Sequence, residues 1–228
     1  MAAAPVARFP ILPVVRVIGV AVAALLLIWT LHYRGGLSLS PENKTLLFNV
    51  HPLLMVIGLV LLNGEAMLAY KTLLGTKDFK KSVHLSLQFL AFFLSIVGLW
   101  AVWKFHIHSL HSWLGLASLF LFGIQWACGF VTFWYPGGSR KSRASLLPWH
   151  IYIGLYIYAL SVITCVTGLL MKATSLQRKE IITRYSREAF LINSLGMLLV
   201  TLAGFVILGV VAPLYGNIEV VKGTTEQV

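Results

Sequence analysis

The sequence predicts an all-α membrane protein: six transmembrane helices, with a central four-helix bundle made of spans two to five. Three observations carry this. Hydrophobic residues make up 58% of the chain and charged residues only 11%, with a mean hydropathy of +0.85, whereas soluble domains carry roughly 25% charged residues. Six apolar stretches are each long enough for a helical crossing, which needs about 20 residues. Four consecutive stretches carry a histidine near their start: His51, His84, His111 and His150.

The spans fall near 12–32, 46–70, 84–104, 112–134, 150–171 and 190–213. The first, after Arg16, is too long for a signal-peptide core and is followed by further spans; His32 sits at its end, an interfacial position. The second contains His51 and Glu65, the one acid inside a span. Glu65 fits an interfacial helix end, with ligand orientation or proton transfer as alternatives. The third begins at His84, and a short third loop with His106 and His108 follows it. The fourth begins beside His111, the fifth at His150, and the sixth has no histidine. These spans use most of the chain, so residues 1–228 read as one domain with a core at about 15–209. Cys128 and Cys165 lie inside spans as small core residues. Gly58, Gly64, Gly98, Gly115, Gly123, Gly129 and Gly168 suit close packing around a flat cofactor, and ordinary helix packing explains them equally well.

The net charge of +11 does not point to nucleic acid, because the basic residues lie in loops beside spans. Such residues set topology, meet lipid headgroups or bind anions. An even number of spans puts both termini on one side. Among the first four loops, the side of the termini carries seven basic residues against three, which places the termini in the cytoplasm. The fifth loop opposes this with Lys172, Arg178, Lys179, Arg184 and Arg187. With both termini cytoplasmic, His51 and His111 lie toward the non-cytoplasmic face and His84 and His150 toward the cytoplasm.

An imidazole inside a span is costly and is a functional candidate by default. Four at matched depth on successive helices form two pairs. Zinc wants about four ligands around one ion, more than two histidines supply. Haem iron needs two axial ligands, and bis-histidine ligation leaves no open position for oxygen, which points to electron transfer. The pattern is therefore that of two b-type haems, one on His51 and His111 and one on His84 and His150. His108, three residues before His111, competes for the ligand role. Other readings are a quinone-linked di-haem subunit of a larger complex and a metal or proton transporter with a histidine relay.

The second loop, KTLLGTKDFKKSVH, places Lys71, Lys77, Lys80 and Lys81 before His84, and the fourth, YPGGSRKSRASLLPWH, places Arg140, Lys141 and Arg143 before His150. The lysines and arginines of this cluster, Lys71, Lys77 and Arg143 among them, can bind haem propionates and still leave charge for an anionic reductant. Plain positive-inside bias with lipid contact is the competing explanation. Across the membrane, Phe105 and His106 stand beside His111, where an acceptor could meet them.

SLHSW at 109–113, NVHP at 49–52, PWH at 148–150 and MLAYK at 67–71 make the chain resemble the cytochrome b561 family, six-span di-haem proteins that carry electrons from ascorbate across membranes. The resemblance runs from about Val15 to Gly209, and the TRYS run at 183–186 and the YPGGSR turn are most similar to plant members. It implies the same haem pairing, ascorbate contacts at Lys77, Lys81 and Arg143, and a propionate near Lys71, where the family segment usually ends in arginine. It also implies an acceptor role for His106, with monodehydroascorbate or a ferric chelate as acceptor, a homodimer, and a vacuolar or other endomembrane location. One departure stands out: only four residues separate His106 from His111, where family members usually have a longer loop with an aromatic in place of His108.

Overall fold

The computed structural model describes residues 10–103 and 108–212. Six helices in it are long and apolar enough to cross a membrane: α1 Ile11–Tyr33, α2 Lys44–Thr72, α3 Lys77–Val102, α4 Leu110–Phe133, α5 Arg140–Arg178 and α6 Arg187–Val211. The chain is an integral, multi-pass membrane protein. Each of α2 to α6 begins on a side chain that accepts a free backbone N–H of the first turn. These caps are Asn43 to Leu46, Thr76 to Phe79, Ser109 to Ser112, Ser139 to Ser142 and Ser186 to Ala189, each contributing about 1 kcal/mol.

Two helices begin earlier than their apolar spans. The polar run before His84 is helical from Lys77, and the one before His150 from Arg140. The caps Thr76 and Ser139 explain this, together with helix-tolerant Lys, Arg, Ser, Ala and Leu residues. Pro148 inside α5 removes only one hydrogen bond. The consequence is functional: Lys77, Lys81 and His84 lie on one face of α3, and Arg143 and His150 on one face of α5, at helical spacings of three, four and seven residues. Gly75, at φ 110°, makes the sharp turn into α3 that a residue with a Cβ would resist.

Helices α2, α3, α4 and α5 close into a four-helix ring, with α6 packed against α5 and α1 against α6. The expected bundle of spans two to five, with the first and sixth outside, is the architecture found. A stripe at Ile192, Leu195, Leu199, Leu202 and Val206 buries one face of α6, a three- and four-residue alternation that tracks one side of a helix. Outward positions such as Val17, Phe120, Leu170 and Met197 are apolar and exposed, as a lipid-facing surface requires.

Polar clamps fix α6 at both ends. Near its start, buried Glu188 accepts from Trp29 Nε1 (2.9 Å) and Arg34 Nη2 (2.5 Å). At its end, Lys71 Nζ donates to the carbonyls of Gly209 (2.8 Å), Val210 and Ala212, where the helix dipole favours a cation. Helix α2 is interrupted by a π-helical segment over Val56–Leu62, one turn past His51. There Gly58 lets α3 approach so closely that a Cβ would stand 2.8 Å from the Ala91 carbonyl oxygen.

Candidate functional site: two facing histidine pairs

The ring brings the four histidines together as two pairs at opposite ends of the bundle. His51 of α2 faces His111 of α4, with ring centroids 5.9 Å apart and planes at 88°. His84 of α3 faces His150 of α5 at 6.3 Å and 69°. Each ring is partly buried.

Three of the four rings are oriented by the same device. His51 Nδ1 donates to Gly98 O (3.0 Å), His84 Nδ1 to Ala66 O (2.8 Å) and His111 Nδ1 to Thr164 O (2.9 Å). A carbonyl only accepts, so these three Nδ1 atoms carry the proton and Nε2 is left as the ligand atom. His150 is the exception. Its Nδ1 meets the Gln125 amide at 3.0 Å, and that amide also donates to the His150 carbonyl at 2.6 Å. Ligation through Nε2 would put the proton on Nδ1, so the Gln125 amide would have to turn its oxygen to Nδ1 and give up its bond to the His150 carbonyl. A regular spacing underlies this. Gly98 follows His84, Gln125 follows His111 and Thr164 follows His150 by 14 residues each, and Ala66 follows His51 by 15. In each antiparallel hairpin, one helix supplies a ligand near its start and, four turns later, the group that holds the ligand of its neighbour.

The glycines complete the cradle. A Cβ on Gly168 would stand 2.7 Å from Cε1 of His111, and one on Gly129 would stand 2.9 Å from Cε1 of His150. Of the glycines noted in the sequence, these two touch ligand rings, Gly98 lends a carbonyl, and Gly58 serves helix contact.

The donor set fits a bis-histidyl haem. With about 2.0 Å for a metal–imidazole bond and roughly 1.1 Å from that nitrogen to the ring centre, imidazoles on opposite sides of one iron stand roughly 6.2 Å apart, centre to centre. Both pairs match that spacing. Among the described residues no three His, Cys, Asp or Glu side chains converge.

Lys71, Lys77, Lys81 and Arg143 lie at the His84/His150 end. Lys81 Nζ lies 3.4 Å from Asp78 and 5.2 Å from the centroid of the Trp134 ring. The neighbouring Phe133 packs edge-on against His150 at 5.3 Å. Lys77 and Arg143 are exposed on the first turns of α3 and α5. The Lys71 Nζ is engaged with the α6 carbonyls, so a propionate contact would have to displace one of these bonds. Glu65 turns away from the histidines toward Arg16, at 3.8 Å, and borders an apolar groove between α1, α2 and α6. Phe105 and His106 lie outside the described residues. His111, not His108, faces His51.

The sequence reading missed Gln125 and Trp134. Gln125 had a visible signal, an amide inside an apolar span; the contact of Trp134 with Lys81 depends on helix packing.

Fold and site define a class: a multi-pass helical bundle with paired imidazoles suited to a flat group between its helices. The model of eukaryotic cytochrome b561 matches residues 50–176. Transmembrane ascorbate ferrireductase 2 of Arabidopsis thaliana is 61% identical over 227 residues, covering 96% of this chain and 99% of that protein. Probable ascorbate-specific transmembrane electron transporter 2 of Oryza sativa subsp. japonica is 41% identical over 212 residues, covering 90% and 89%. Ascorbate-specific transmembrane electron transporter 1 of Zea mays is 39% identical over 204 residues, covering 86% of each. The chain belongs to the cytochrome b561 family, whose members bind haem.

Proposed function

We propose that the chain is a transmembrane oxidoreductase that takes one electron at a time from cytoplasmic ascorbate and delivers it to an acceptor on the other side, monodehydroascorbate or a ferric chelate. The observation that carries this is the two histidine pairs at opposite ends of one bundle, in a chain 61% identical to a protein named an ascorbate ferrireductase. His51 and His111 would hold one haem b, His84 and His150 a second. A haem so ligated supplies reversible one-electron exchange with no open coordination position.

The rest is the work of this chain's residues. The Nδ1 contacts lock each imidazole in orientation. Gly129 and Gly168 leave room beside the rings. Lys77, Lys81 and Arg143 form a cationic approach to the His84/His150 end, with Lys77 and Arg143 also in reach of propionates. Ascorbate is a monoanion at neutral pH, and a charge-assisted hydrogen bond to it contributes about 1.5–3 kcal/mol. On giving up one electron it loses a proton and leaves as monodehydroascorbate. Phe105 and His106 are the proposed acceptor contacts at the opposite face.

The charge bias of the first four loops supports cytoplasmic termini. A homodimer in a vacuolar or other endomembrane completes the reading, on the strength of the family resemblance. The histidine-relay alternative is weakened by the Nδ1 contacts, which run sideways to neighbouring helices and not from one pair toward the other.

The test is haem content. The purified chain should carry two six-coordinate, low-spin b haems. His111→Ala should lose one of them and His108→Ala none. One haem per wild-type chain, or loss of haem in His108→Ala with retention in His111→Ala, overturns the assignment.

A further inference from the structure

We infer that Lys172 raises the electron affinity of the His51/His111 centre, with Phe48 holding its ammonium at the outer edge of that pair; this rests on the haem reading above. Lys172 follows Gly168 by four residues and so shares its face of α5, one turn nearer the end of the bundle. Gly168 packs on His111. Phe48 precedes His51 by three residues on α2, and its ring centroid lies 6.4 Å from that of His51. Lys172 Nζ lies 4.3 Å from the Phe48 centroid. Ring and ammonium therefore cap the same edge of the pair from two helices, in a cation–π contact that favours the charged amine.

Among the described residues no carboxylate forms an ion pair with Lys172. Arg34, Lys179 and Glu188 are charged groups that act on it. Glu188 is already paired with Arg34 and also accepts from Trp29, and Lys179 adds to the positive sum. Lys172 is half-buried, so salt screens it less than the exposed Arg178, Arg184 and Arg187 of the same end. A positive charge favours an added electron. At roughly 10 Å and an effective dielectric of about 20, one unit charge changes such an equilibrium by roughly tenfold. The electron would thus be drawn toward the non-cytoplasmic centre. This gives a use to one of the basic residues of the fifth loop that oppose the charge bias of the others.

The experiment is a redox titration of the haem bands in the purified full chain. In Lys172→Met, one of the two transitions should move to lower potential, equivalent to a roughly tenfold weaker reduction constant, while the other stays in place. Lys172→Arg should restore the wild-type value. Lys172→Gln carries the same expectation as Lys172→Met and is made alongside it, so that poor folding of one neutral variant leaves the other. Wild-type potentials in a neutral variant that holds both haems, or an equal shift in Lys172→Arg, overturn the inference. Fewer than two bis-histidyl haems in the wild type would instead overturn the underlying reading.

Discussion

Gly168 of α5 lies so close to the His111 ring that a Cβ there would stand 2.7 Å from Cε1, and Gly129 of α4 stands in the same relation to His150, at 2.9 Å. Gly129 follows His111 by 18 residues and Gly168 follows His150 by 18, five turns at 3.6 residues each. Each helix of the α4–α5 hairpin therefore carries a ligand near its start and the clearance for its partner's ligand near its end.

That reciprocity makes a crossed prediction. Gly168→Ala should displace His111 and reduce haem content from two toward one, sparing the His84/His150 centre. Gly129→Ala should do the converse. Haem-to-protein ratios, with spectra of each variant, check it. Two haems with wild-type spectra in both variants would mean that the rings shift without cost and that the glycines serve only helix packing.

Gln125 gives a second prediction. It is the one side chain among four orienting groups, the others being main-chain carbonyls, and removing such a partner typically weakens a metal site 10–100-fold. Gln125→Leu should therefore lose haem from the His84/His150 centre on dilution or mild detergent washing. Gln125→Glu, which keeps an acceptor oxygen, should retain it. Equal retention in both variants would show that the α4–α5 packing alone holds His150.

The cationic end supplies a third. Lys81→Ala or Arg143→Ala should slow reduction by ascorbate roughly tenfold, the worth of one charge-assisted hydrogen bond, with both haems still bound. Raising ionic strength should slow the wild type, because solvent-facing charges are screened. An uncharged reductant should be little affected. Wild-type ascorbate kinetics in both variants, with full haem, would assign this patch to topology and lipid contact.

Much of this was legible in the sequence for one physical reason: a bilayer allows few solutions. Six apolar runs had to be helices, and four histidines at matched depth had to face inward or pair. The helical starts at Lys77 and Arg140 were less legible, because their first turns are polar and lie outside the apolar spans. The bonds of Lys71 to the end of α6 were not legible, because those partners lie more than a hundred residues away. Nor were the seats of Lys81 over Trp134, of Lys172 over Phe48 and of Glu65 toward Arg16 legible, since no local pattern encodes how the helices meet. Only the offset of 14 or 15 residues between each ligand and its neighbour's orienting group is written in the sequence, and it acquires meaning once the hairpins are seen to be antiparallel.

The most direct measurement is a reduced-minus-oxidised spectrum of the protein in sealed vesicles of known orientation, with ascorbate added on one side and a ferric chelate trapped on the other. Ascorbate on the face that carries Lys81 and Arg143 should develop the b-haem bands and reduce the trapped iron across the membrane. Haem bands that never develop with ascorbate on that face, or iron that stays ferric while both haems are reduced, would contradict transmembrane electron transfer by this chain.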